Sequence, residues 1–451
     1  MISAGLFVVF AVVCTVLGFL RHPIYAFYFY LGSMYVFPPA RWWSYMLPDL
    51  RWALLAAAIT ALAIVVRRDK LTAKPAWILC VPAVVMTLYA TWMWIQLPWA
   101  LDTETHLDGS VRFVKYILTF WFVYRIADTK ERVRDVLFAH MLGCALLGLL
   151  AHTMGRSGDR LDGVGGPGID DANTLGMYLA TGALTALGLL LTQRGWRRWV
   201  SLAAGAMILE GLVLTNTRGA FLGLVGGTLV FLVFKAREHR RLFWGVALVG
   251  LLGMAVIIDQ KFVDRMLSIR DSTADTEDVD QSARSRLVLM RAQWEMFLAY
   301  PMGSGHRGTA ALSRRYLDDR WLTTSDVEEE RARSSHNTFM TTLVEQGVPG
   351  ALMFIWLSIW TLRALVRLRS FARSHGDPEL TTLGATVGAV LGVVFVSGST
   401  ADFLMAEVQF WMFALLVTLL QLGQRVVEKT GPAKTVAARG PRIPALTGGR
   451  G

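Results

Sequence analysis

Apolar runs long enough to cross a bilayer recur along this chain and constrain it more than any other feature. Ile2 to Leu20 holds no charged residue, and about 20 such residues in a helix reach across roughly 30 Å of hydrocarbon. Similar runs lie at 52–66, 76–96, 111–127, 136–154, 173–192, 199–216, 219–235, 242–258, 339–366, 381–399 and 404–422, which makes twelve. With 54% hydrophobic and only 18% charged residues, this much apolar surface does not suit a water-soluble domain. The expected fold class is an all-α polytopic membrane protein. A shorter run, 24–37, ends in Pro38-Pro39 and reads as a re-entrant or interfacial piece. The first run lacks a basic leader and is followed by further runs, so it is expected to be a retained span.

A net charge of +11 would point to nucleic acid in a soluble protein. Here the lysines and arginines sit in short clusters between apolar runs, so no nucleic-acid partner is expected. RRDK (67–70), DTKERVRD (128–135), QRGWRR (193–198), KAREHRR (235–241) and RALVRLRSFAR (363–373) fall at alternate ends of the runs, the pattern of cytoplasmic links facing anionic headgroups. The other side then carries 101–109, 155–173, the turn 215–219, the long interval 259–338 and 399–407. The chain divides into a first bundle part (1–258), an external segment (259–338), a second bundle part (339–424) and a basic cytoplasmic tail (425–451). Cys14, Cys80 and Cys144 lie inside apolar runs without CxxC spacing, which indicates neither a disulfide framework nor a metal knuckle.

On the external side, Arg218 sits in the turn TNTRG between two runs, with Gly219 opening the next helix. A guanidinium beside hydrocarbon is costly unless paired. It can fork onto phosphate oxygens or snorkel to headgroups, and the sequence leaves both open. Glu210, the one acid well inside a run, is either protonated or paired to a basic residue of a neighbouring helix. The 155–173 loop joins Arg156 and Arg160 with Asp159, Asp162, Asp170, Asp171 and several glycines. It can admit an anion or be an ordinary solvated loop.

In the acidic run 271–280, Asp278 and Asp280 have a spacing that metal-dependent sugar transferases use, but a solvated acidic loop matches it as easily, and no metal is expected. Arg284, Arg286 and Arg291 follow in a helical stretch. Arg284 and Arg291 share one face and Arg286 points the other way, so the ligand-facing side stays open. His336 lies where a polar loop meets a helix, with Ser334 and Ser335 as N-cap candidates. A helix N-terminus disfavours imidazolium and favours a nearby anion, leaving a neutral ring able to accept a proton. The alternative is an interface histidine beside a cap.

Three stretches, TNTRGAFLGLVGG, SRLVLMRAQWEMFLAYPMGSG and SSHNTFMTTLVEQGVPG, together resemble the O-antigen ligase and O-antigen polymerase superfamily, and are most like the ligases. The superfamily pattern runs from a span-opening Arg through an Arg-rich external segment ending in P-x-G-x-G to H-N and E-x-G-[VI]-x-G. The resemblance implies a GT-C-like glycosyltransferase of twelve transmembrane helices with one long periplasmic segment. It would sit in the bacterial inner membrane, with its active site at the periplasmic face. It would be inverting and metal-independent, need no cofactor, and ligate O-antigen from an undecaprenyl diphosphate-linked glycan (donor) onto lipid A-core (acceptor) in lipopolysaccharide biosynthesis. His336 would be the catalytic base, and Arg218, Arg286, Arg291 and Arg160 the donor diphosphate-binding residues. Polymerase and protein O-glycosylation ligase are alternatives within the superfamily. A transporter or flippase fits less well, because the polar residues gather at one rim rather than mid-membrane. In the external segment 311–333 matches no family pattern.

Overall fold

A computed structural model describes residues 2–155, 161, 163–258, 263, 281–325 and 328–430. The elements, in order, are α1 (Ile2–Leu20), α2 (Ile24–Val36), α3 (Trp52–Val66), α4 (Val81–Gln96), α5 (Thr103–Ile126), α6 (Lys130–Met154), α7 (Ala172–Thr192), α8 (Trp196–Thr215), α9 (Arg218–Phe234), α10 (Arg240–Ile257), α11 (Gln281–Ala299), α12 (Gly308–Tyr316), β1 (Thr323–Ser325), β2 (Glu328–Ala332), α13 (Thr338–Ser374), α14 (Pro378–Ser397) and α15 (Glu407–Thr430). Six helices among the described residues, α1, α6, α7, α8, α13 and α14, are long and apolar enough to cross a membrane; α3 and α9 are apolar but shorter. The bundle's outer surface is apolar as well, with Leu6, Leu229, Leu251 and Leu352 all more than half exposed. That is the reverse of a soluble domain and marks a multi-pass membrane protein.

The basic links gather at one face, held by direct contacts. Thr72 N donates to Asp128 Oδ2 (2.7 Å), Arg197 Nη1 meets Asp135 Oδ1 (2.8 Å), Lys130 Nζ meets Asp377 Oδ2 (3.0 Å), and His239 Nδ1 lies 2.8 Å from Thr382 Oγ1. Side-chain charges from consecutive links can pair this way only where the chain returns to the same face each time.

The segment 24–37, expected as a re-entrant or interfacial piece, holds α2, which is packed inside the bundle. Arg67 Nη1 donates to Phe19 O (2.7 Å), which puts the end of α1 at the basic face. Arg41 Nη2 donates to Val164 O (3.0 Å), which puts the link after α2 at the opposite face. α2 therefore runs from face to face, antiparallel to α1, although its 13 residues rise only about 20 Å. The length rule assumes lipid on the outside. Here Ile24, Ala26 and Phe27 are fully buried in protein, so hydrocarbon thickness does not set the helix length.

At the face opposite the basic links, α11 and α12 cover the start of α13, and an antiparallel β1–β2 hairpin (Thr323 opposite Ala332) packs beside α12. A small apolar cluster of Leu289, Ala292, Met296, Leu312, Leu317 and Val344 binds the helices together. The hairpin is the one departure from an all-helical fold among the described residues, and it lies in the stretch that matched no pattern.

α13 is broken near its start. Gly347 has φ 65° and ψ −164°, and Pro349 has no N–H to give to Glu345 O. The carbonyls so released are satisfied by the PMGSG loop: Ser304 N and Oγ donate to Val344 O (2.9 and 2.8 Å), Gly305 N donates to Glu345 O (3.0 Å), and Val348 N donates to Pro301 O (2.9 Å). Gln96 Nε2 completes the seam, donating to Glu345 O and Met302 O at 3.0 Å each. Two of the sequence motifs are thus halves of one backbone joint, in which the Val344 and Glu345 carbonyls find partners.

Candidate functional site

Two helix starts meet at one turn. α9 opens at Arg218 after Asn216, whose φ of 51° turns the chain back on itself, with Thr217 at the N-cap. α13 opens at Thr338. The turn after α14 holds both: Ser397 Oγ donates to Gly219 O (3.0 Å), while Thr338 N donates to Gly398 O (2.7 Å) and Thr338 Oγ1 donates to Ala401 O (3.1 Å). A Cβ on Gly219 would collide with Thr400 Oγ1, so glycine is what lets α9 approach this turn. Arg218 and His336, more than a hundred residues apart in sequence, therefore flank the same five-residue turn. Both are partly exposed.

The N-cap of α13 is Asn337, not Ser334 or Ser335. Its Oδ1 accepts from Phe339 N (2.9 Å) and Met340 N (3.2 Å), and its Nδ2 donates to Ser399 O (3.4 Å). Ser335 is instead a buried strut, its Oγ accepting from Gln293 Nε2 at 2.8 Å. His336 lies between strut and cap, just outside the first turn.

That strut also settles the face of α11. Arg286, Leu289, Gln293 and Met296 recur at helical spacing; Leu289, Gln293 and Met296 are buried and Arg286 is half-buried. This face meets α13. Arg291 points away, with its side chain 86% exposed and 3.7 Å from Glu295. The structure thus brings Arg218, His336 and the Arg286 face to one rim and excludes Arg291. Arg160, Asp278 and Asp280 lie outside the described residues, and so does the side chain of Arg284. In the 155–173 loop, Asp171 caps α7 through Asn173 N and Thr174 N, and Asp170 Oδ1 accepts from Gly168 N; both have structural work there. Glu210 is paired, its Oε1 2.6 Å from His152 Nδ1 on the neighbouring helix.

Two residues at this rim carried no sequence signal. Arg333, three positions before His336, is half-buried with its backbone N–H on Ser313 Oγ (2.9 Å) and has no ion pair among the described residues. Burial lowers its pKa. Asp402, in the turn between α14 and α15, is exposed. Desolvation by the protein around it, and next the nearby Glu345 carboxylate, push its carboxyl up to about 6. Its Oδ1 accepts from Leu404 N at 3.0 Å. Below the turn, an apolar cavity of about 440 Å³ starts at Thr338 and Phe403 and runs between α4, α13, α14 and α15, past Tyr89, Phe354 and Phe395.

Residues 203–355 match the O-antigen ligase family model. The superfamily resemblance carried by the three motifs is therefore shown, and it rests on this region. The matched region contains Arg218, Arg286, Arg333, His336 and both halves of the α13 joint. It stops short of the 397–401 turn and Asp402, which complete the rim from outside it. No curated protein matches the chain.

Proposed function

We propose that this protein is an inverting, metal-independent glycosyltransferase of the inner membrane that ligates O-antigen from undecaprenyl diphosphate onto lipid A-core at the periplasmic face. The observation that carries the reading is that Arg218 and His336 flank the same 397–401 turn. Inverting sugar transfer from a diphosphate needs a cation on the leaving group and, across the anomeric carbon, a base on the incoming hydroxyl. In the proposed step the acceptor hydroxyl attacks the anomeric carbon from the side opposite the diphosphate, and the C1–O bond breaks with its electron pair leaving on the diphosphate. His336 takes the hydroxyl proton. Arg218, with Arg286 and Arg333, neutralises the leaving charge. The apolar cavity beneath Thr338 supports a lipid-linked donor, because it offers a polyprenyl chain a wall that begins at the site.

Purified protein incubated with undecaprenyl diphosphate-linked glycan and, separately, lipid A-core, a second lipid-linked glycan or an acceptor protein tests the reading. Transfer to lipid A-core that survives EDTA is the expected result. Transfer only to a second lipid-linked glycan would make the protein a polymerase, and activity restored to chelated enzyme by magnesium or manganese would overturn the metal-independent chemistry.

A further inference from the structure

We propose a second ligand site at the basic face, remote from the rim that holds His336, which takes the phosphate headgroup of an anionic phospholipid. The link between α9 and α10 and the link between α13 and α14 face each other across a cavity of about 250 Å³, lined by Arg237, Glu238, Arg373, Asp377 and Thr381 among others. Arg369 stands one helical turn before Arg373 on the same face of α13 and feels the charges of both Arg373 and Arg237. It stacks over Phe234 with its guanidinium carbon 5.8 Å from the ring centre, and its buried Nε has no hydrogen-bond partner among the described residues.

The acids nearby do not neutralise these three guanidiniums. Asp377 is held by Lys130 at 3.0 Å and caps α14 through Leu380 N (2.9 Å), and Glu238 is exposed without an ion pair among the described residues. Arg237 and Arg373, which line the cavity, and Arg369 close by repel one another and are stabilised by a multivalent oxyanion, for which guanidinium forks suit phosphate. The surroundings favour a lipid as the source. Val233 on α9 and Leu362 and Val366 on α13, within one or two turns of the cations, are all more than half exposed and give acyl chains a surface continuous with the headgroup site. Basic pockets between helices on the cytoplasmic side bind such headgroups.

The test uses the full chain in phosphatidylcholine nanodiscs, titrated with phosphatidylglycerol and, in a separate arm in detergent, with inorganic phosphate; retained lipid is read by native mass spectrometry and protection by thermal unfolding. Combined R237Q, R369Q and R373Q is expected to weaken phosphatidylglycerol binding about 10–100-fold, whereas the same charge loss on other basic-face links, R21Q with R194Q and R198Q, leaves it within about 3-fold. Because Arg369 also packs on Phe234, the R237Q/R373Q pair, both exposed, is the folding-safe version and should lose most of the effect. Equal losses in both triple variants would reduce the site to diffuse positive charge and overturn it. Protection by inorganic phosphate without any from phosphatidylglycerol would overturn the lipid assignment.

Discussion

The Cβ that Gly347 lacks would fall 2.5 Å from the backbone nitrogen of Gly303, and the one that Gly303 lacks would fall 2.6 Å from Glu345 O. Each missing side chain leaves room for the backbone of the opposite half of the joint, and both glycines have positive φ, 65° and 88°. Gly347→Ala or Gly303→Ala therefore meets left-handed backbone strain and a backbone collision together, at a cost of about 2–4 kcal/mol. The expected result is a lowered thermal midpoint in detergent and poor yield for either variant. Wild-type midpoints for both would show that the joint does not hold the start of α13.

Arg218 and His336 should separate binding from turnover. Arg218→Ala is expected to weaken donor binding, with Arg218→Lys restoring it only partly because a point charge replaces a fork. His336→Ala should keep donor affinity within a few fold while turnover falls about 10²–10⁴-fold, the usual range for losing a general base. Donor binding by fluorescence and single-turnover transfer measure the two separately. Near-normal transfer by His336→Ala would leave this histidine a mere neighbour of the Asn337 cap.

Within α11, burial decides which arginine matters. Arg286→Gln is expected to raise the donor KM several-fold, whereas Arg291→Gln should be nearly silent, since an exposed i,i+4 pair contributes little. The same substitutions compared in one membrane-vesicle transfer assay check this. A larger defect in Arg291→Gln would mean that α11 turns its other face to the donor.

Asp402 links stability to pH with a definite sign. Its carboxyl is raised from 3.8 to about 6, so between those values the folded protein holds a proton that the unfolded chain has released. Stability therefore falls as pH rises through this window, by an amount that solvent at the exposed side chain keeps small. Asp402→Asn keeps an acceptor for Leu404 N but removes the charge. It should unfold at a higher temperature than wild type at pH 7, and its stability should be flat across that window. If the ionised carboxylate also helps orient the acceptor, transfer by wild type should fall on acidification through about 6 and be reduced in the Asn variant at all pH values. A lower midpoint at pH 7 for Asp402→Asn would show that the carboxylate stabilises the turn instead.

Composition and periodicity alone determined the helical membrane class, the alternation of basic links that the contacts gather at one face, and the three motifs within the matched region. These are local properties: hydrophobic runs and charge clusters are written in consecutive residues. The sequence also named Arg218 and His336, because a turn arginine and a histidine at a helix start are local signals too. Only the tertiary structure decided the rest. It made α2 a buried face-to-face helix, because burial in protein removes the length rule that lipid imposes. It chose Asn337 over two serines as the cap, because Gln293 from another helix claims Ser335. It turned the Arg286 face of α11 inward and left Arg291 exposed, because α11 presents to α13 the face that carries Leu289 and Met296. The alternation of basic links put the segments of Arg333 and Asp402 on the external side, but only the packing of the helices brought them and the 397–401 turn to the rim beside His336.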